Sequence, residues 1–336
     1  MRYGLTVKKI ITLIMILVAA AGISAIVHKA AGEASNNALS PETANAEANA
    51  DNTAVRDVIS CKYYNEKDFR ASAEKADARF SIQTDKDISE AGSASSVSAN
   101  DRIIGGIVPH HLLASDMIAE FFKKLSESKP DTVVILAPNH NRSGGSAVST
   151  GLWSWQTAFG KIAADTDLAN YLVKNIGAGT NIDLLEEDHS VSALIPYIKY
   201  YMPDTKVVPV LLYGNYGMDK SIKLGRCLYE QLNGKKSLVL ASVDFSHYLP
   251  PEEAESMDNI TYEAIKKMDF DSISLMGNDN LDSPPALITF LSCMKNSGAK
   301  TPELVNHSNS SKISGKWSSS TTSYFTIIYN TSGRKP

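Results

Sequence analysis

The chain has 336 residues, 43% of them hydrophobic and 21% charged, with 33 Lys and Arg against 37 Asp and Glu and a net charge of −4. That is ample apolar material for a large core. The balanced charge lacks the basic excess of a nucleic-acid binder, so no nucleic-acid partner is expected.

The N-terminus reads as an address. Arg2, Lys8 and Lys9 precede an apolar run from Ile10 to Val27, interrupted only at Thr12 and Ser24. A charged start followed by such a run directs export, and the run approaches the roughly 17–25 residues of a spanning helix. Residues 1–29 are therefore expected to form a signal anchor, or a signal peptide cleaved among the small residues from Ala19 to Ala25. The corresponding placements are a single-pass membrane protein with its domain outside the cytoplasm, or a secreted protein. Residues 30–100 are rich in Ala, Asn, Glu and Ser and read as stalk and linker. Within them "VISCKYY" fits a short strand and "EKDFRASAEKADARF" a helix. Three cysteines, Cys61, Cys227 and Cys293, make no disulfide framework. Cys227 and Cys293 sit among apolar neighbours in predicted helices and read as buried thiols.

From Arg102 the texture changes, and residues 101–332 are expected to form one α/β domain. "RIIGGIV" and "DTVVILA" are runs of the buried-strand type. Between them Leu113, Met117, Phe121 and Leu125 mark one face of a helix. The alternation continues with helices near Asp165–Asn175 and through Val191–Tyr201, then the strand "KVVPVLL". A helix at Lys220–Leu232, the strand "SLVLASV", and helices at Glu252–Lys267 and Pro285–Lys295 follow. "PELVNH" and "TSYFTIIYN" end the domain, the last as a strand suited to antiparallel addition. This pattern predicts an α/β fold with a mainly parallel mixed sheet sandwiched by helices.

Seven histidines occur, and six lie in this domain: His110, His111, His140, His189, His247 and His307. "IIGGIVP" runs into His110 and His111, "TVVILAPN" into His140, "SLVLASVDFS" into His247 and "PELVN" into His307. Ligands of open α/β sheets bind beyond the carboxyl ends of the strands, so these imidazoles are expected at one rim. "EEDHS" opens a helix with His189 beside Glu186, Glu187 and Asp188. Imidazoles there bind zinc, copper or iron and move protons near neutral pH. Asp244, Glu187 and Asp188 are the candidate carboxylates. Trp153, Trp155 and Phe159 either wall a pocket or staple the core. Ser246 beside His247 lacks the G-x-S-x-G context of a nucleophile elbow.

Five segments in order resemble the MEMO family, also called AmmeMemoRadiSam system protein B: "VPHH", "LAPNH", "WQTAFG", "EEDHSVSALIPYI" and "SVDFSHY". The resemblance covers about Ile104 to Tyr329. It implies a fold like that of class III extradiol dioxygenases, with metal ligands at His110 and His140. It also implies a catalytic acid/base role for His247, with Asp244 and His189 lining the same pocket. A cysteine supplies a third ligand in the best-studied branch, whereas here the corresponding stretch holds Lys312 and Ile313. The expected function is a metal-dependent redox or dioxygenase-like enzyme that uses a divalent metal, iron or copper first and zinc next. The alternative is a non-catalytic module that uses the pocket for a metal, a peptide or a small-molecule ligand. Hydrolysis by a zinc-activated water is a third reading.

Overall fold

A computed structural model describes residues 56–90 and 101–332. Among these residues no helix is long and apolar enough to cross a membrane. That finding overturns the expected membrane placement. The longest helix, Glu66–Glu90, carries charged residues along its whole length. Helices Ser115–Leu125, Thr166–Ile176 and Met218–Leu232 are two-faced, and helix Pro284–Asn296 is buried almost all round. The apolar run from Ile10 to Val27, the expected anchor or signal, lies outside the described residues.

The strands are β1 (Val58–Ser60), β2 (Asp101–Val108), β3 (Thr132–Pro138), β4 (Val148–Thr150), β5 (Ser154–Thr157) and β6 (Gly160–Ile162). They continue with β7 (Gly179–Thr180), β8 (Lys206–Leu212), β9 (Ser237–Ser242), β10 (His247–Leu249), β11 (Glu303–Asn309) and β12 (Thr321–Ser332). The main sheet runs β10-β12-β2-β9-β3-β8-β4-β7, with β11 also paired to β12. Its centre, β2-β9-β3-β8, is parallel. β12 lies antiparallel to β2, and β4 antiparallel to β8. This is the expected α/β architecture: a mixed sheet, parallel at its heart and flanked by helices.

The central strands are buried on both faces, which is why their sequences are nearly unbroken runs of Val, Ile and Leu. Alternate residues serve opposite layers. Val134, Leu136, Val208, Val210, Val239 and Ala241 pack with helices Met218–Leu232 and Pro284–Asn296. Val133, Ile135, Val207, Leu211, Leu238 and Leu240 pack with helices Ser115–Leu125 and Ile195–Tyr201. Each buried Leu, Ile or Val contributes about 1.5–3 kcal/mol relative to exposure.

The two helices of the first layer meet closely at Gly225, where an added Cβ would lie 2.3 Å from the Thr289 carbonyl oxygen. Gly225→Val is therefore expected to destabilise the fold by about 3 kcal/mol, because well-packed backbones do not separate cheaply. Urea denaturation checks this, and an unchanged midpoint would contradict it.

The segment before Arg102 joins the same body. β1 pairs in parallel with β5, which pairs with β6 in a small second sheet. Phe69, Ala73 and Ala76 are buried. The Phe69 ring lies 4.8 Å from that of Phe159 and 4.6 Å from that of Tyr197. Trp155 is fully buried in this layer, so the aromatic stretch staples the core. The helix expected through Val191–Tyr201 is two short ones, His189–Ser192 and Ile195–Tyr201. Pro196 stands at the start of the second, where its missing N–H costs nothing.

Candidate metal centre

Parallel pairing puts the carboxyl ends of β2, β9 and β3 side by side. Val108 is in register with Ser242, and Leu136 with Ala241. His110, Asp244 and His140 each stand two residues beyond their strand. His189 arrives from the other direction. Asp188 caps its short helix by accepting the Ser190 backbone N–H at 3.0 Å, which fixes the imidazole next to the exit of β3. One ligand atom each from His110, His140 and His189 lie within 4.8 Å of one another. The His140 and His189 rings stack at 4.3 Å, with His110 edge-on to both.

The hydrogen bonds fix which ring nitrogens are free. The Ser242 hydroxyl donates its single proton to the Ser190 carbonyl at 2.6 Å. It can then only accept from His110 Nδ1, 3.1 Å away. His110 therefore carries its proton on Nδ1 and a lone pair on Nε2. His140 is set the same way. Its Nδ1 lies 3.1 Å from Asp188 Oδ1, and its backbone N–H donates to Asp188 Oδ2 at 2.9 Å. Burial pushes the Asp188 carboxyl up, but hydrogen bonds from His140 and Ser190 outweigh it and hold the group at about 2. Asp188 is thus a carboxylate that accepts from Nδ1–H and leaves His140 Nε2 bare. A carboxylate behind a histidine is the usual second layer of a metal site.

Burial, then the neighbouring His140 and His189, pushes His110 well below the ordinary imidazole range. Burial, then His140, lowers His189. Neutral imidazoles with clustered lone pairs suit a cation. Two carboxylates face the same point. His110 Nε2 lies 3.5 Å from Asp244 Oδ2 and 3.3 Å from Asp282 Oδ2. Burial pushes Asp244 up, and burial plus the neighbouring Asp244 pushes Asp282 well up. Asp282 Oδ1 is buried without a hydrogen-bond partner. The donor chemistry and this orphaned oxygen both fit a divalent metal ion.

The remaining sequence candidates are sorted by position. His247, in β10, has a buried Nδ1 without a partner. Burial lowers it against the pull of Asp244. His111 is exposed, with Nδ1 2.6 Å from the Tyr324 hydroxyl. His307, expected at the rim, is held elsewhere: its Nε2 is 2.8 Å from Asp258 and its ring stacks on Phe325 at 4.1 Å. Glu187 is exposed, and Glu186 pairs with Arg56 and Lys62. Lys312 pairs with Glu255. Ser246 is fully buried and donates to Asp258, which removes it as a nucleophile. Asp282 was not legible in the sequence. It follows Leu281 of the Phe245–Leu281 bridge and precedes the Ser283 cap of helix Pro284–Asn296. The phrase "LDSPPA" signals that helix start but not a site. A cavity of about 660 Å³ adjoins Asp282, walled by Arg142, Tyr213, Met218, Met276 and Asn278.

Fold and rim together define an α/β protein with a histidine-based candidate metal centre at the carboxyl ends of its parallel strands. The Memo-like protein family matches residues 79–328, and the chain belongs to that family. A MEMO1 family protein of Methanococcoides burtonii is 34% identical over 230 residues, 64% of this chain and 83% of the relative. One from Desulfurococcus amylolyticus is 29% identical over 225 residues, 64% of this chain and 79% of the relative. The crystal structure of uncharacterized protein JW3007 from Escherichia coli K12 aligns over 68% of this chain and 99% of its own, with TM-score 0.46 and 14% identity.

Proposed function

We propose that the protein binds a divalent metal through His110, His140 and His189 and uses it in redox or dioxygenase-like chemistry on a small molecule. One observation carries the metal reading. The Nδ1 protons of His110 and His140 are committed to Ser242 and Asp188, so their Nε2 lone pairs are left free beside His189. Iron and copper suit imidazole donors and exchange single electrons, and zinc suits them without redox change. When bound, such an ion supplies Lewis acidity to an oxygen of the substrate.

The chain's own groups supply the rest. The adjoining cavity, walled by Tyr213, Met218 and Met276, takes the apolar body of a small molecule. His247, with its unpartnered Nδ1, accepts and returns a proton of a phenolic substrate, as a neutral imidazole can. Asp244 holds the His110 backbone through its N–H at 3.1 Å and biases His247 toward taking that proton.

Iron-loaded protein is expected to consume oxygen with catechols, and His247→Ala is expected to keep its metal while losing turnover by about 10²–10⁴-fold. An oxygen electrode and elemental analysis check both. A second reading, a non-catalytic module for a metal, a peptide or a small ligand, is supported by the same cavity. It predicts a raised melting temperature with ligand and no oxygen uptake.

A further inference from the structure

Asp282 is the carboxyl group at the rim whose purpose the fold does not explain. It is fixed by a reciprocal backbone pair. Its N–H donates to the Asp244 carbonyl at 3.1 Å, and the Asp244 N–H donates to Asp282 Oδ2 at 3.2 Å. That same Oδ2 lies 3.3 Å from His110 Nε2 and 3.9 Å from His140 Nε2. Both nitrogens carry lone pairs, because their Nδ1 protons are committed elsewhere. The other oxygen, Oδ1, is buried without a partner. A buried acceptor left unpaired costs about 1–3 kcal/mol, so an aspartate is a costly choice here unless something cationic meets it.

A proton does not meet the need. A proton on Asp282 Oδ2 can serve one of the two Nε2 lone pairs, leaving the other unanswered. An ion held at Oδ2 meets both nitrogen lone pairs together. Ligand atoms roughly 2.0–2.2 Å from one ion stand about 3.0–3.5 Å apart at right or tetrahedral angles. The 3.3 Å separation matches that spacing, and the 3.9 Å separation exceeds it by little. Asp282 is better placed than Asp244: its Oδ2 reaches both His110 and His140 Nε2, whereas Asp244 Oδ2 is set against His110 Nε2, at 3.5 Å.

We infer that Asp282 is the anionic ligand of the centre, forming with His110 and His140 a two-imidazole, one-carboxylate set, with His189 beside it, for a divalent cation of the iron, manganese or zinc type. This rests on the metal reading above and adds the carboxylate and the class of ion. An anionic oxygen favours such cations over Cu(I), which prefers sulfur.

The test is zinc and cobalt affinity of the full-length chain, measured by competition with a chromophoric chelator, for wild type, Asp282→Asn, Asp282→Ala and His140→Ala. Asp282→Asn keeps the side chain's shape, and the melting temperature of each metal-free variant reports whether the fold survives. The expected result is wild-type binding that both Asp282 variants weaken by well over a hundredfold, beyond the roughly 10–100-fold range of groups that only orient ligands. The metal-free melting temperature of Asp282→Asn is expected to stay at or above wild type. Wild-type affinity in both Asp282 variants, with His140→Ala impaired, would overturn Asp282 as a ligand and leave the metal reading standing. Failure of the wild type to bind either ion would overturn the metal reading and this inference with it.

Discussion

The double variant His110→Ala, His140→Ala is expected to lose bound iron or zinc entirely, where the wild type holds close to one ion per chain. Each histidine is set by a different strand end, β2 for His110 and β3 for His140, so neither substitution reaches the other through the backbone. The two rings share a single point, and removing both leaves His189 without the neighbours that complete its cluster. One imidazole does not retain a divalent ion against water. Elemental analysis of the two proteins, purified without affinity tags or chelators, measures the difference. Equal metal in both would place any ion elsewhere. The variant is also expected to fold, because His110 is a buried imidazole that burial already keeps neutral and uncharged.

Asp188→Asn has the second largest expected effect, and it acts twice. The carboxylate accepts from His140 Nδ1, from the His140 backbone N–H, and from both the N–H and the hydroxyl of Ser190. An amide in its place offers one acceptor oxygen and presents N–H donors to groups that are themselves donors. His140 loses the partner that fixes its tautomer, and metal affinity is expected to fall about 10–100-fold. Stability falls too, with a definite pH dependence. The folded pKa of Asp188, about 2, lies below the unfolded value of about 3.9. The stabilisation is therefore fully present above the unfolded value and is lost as pH falls toward the folded one. On the order of 2 kcal/mol should separate wild type from Asp188→Asn at pH 7, and the gap should shrink as pH drops through 3. Urea denaturation at the two pH values checks the sign. A gap that stayed constant would mean that Asp188 is not a carboxylate in the folded protein.

The sequence revealed the centre of the sheet because burial on both faces writes an unmistakable pattern. "TVVILAP" and "KVVPVLL" have few polar residues to mislead, and their parallel order follows from the helices between them. The strand exits were legible for the same reason: a His or Asp immediately after such a run has nowhere to go but the rim. His307 also follows a β run, yet β11 is an edge partner of β12, and a buried Asp258 from the helix Pro251–Lys267 captures its ring. Sequence order gives no hint of that long-range pair. Asp282 was invisible for a related reason. It sits in a connection between helices, and the Phe245–Leu281 bridge and the hydrogen bonds with Asp244 bring it under His110. The order before Arg102 was half-legible. "VISCKYY" and the helix after it had the right texture, but the partner β5 that gives the strand a place is nearly a hundred residues later.

X-ray absorption at the metal edge of the iron- or zinc-loaded full-length protein reads the atoms bound to the ion. The expected spectrum has a shell of nitrogen and oxygen at about 2.0–2.2 Å, with the multiple scattering of at least two imidazoles and no sulfur. A sulfur shell near 2.3 Å, or a spectrum of hydrated ion without imidazole scattering, would contradict it.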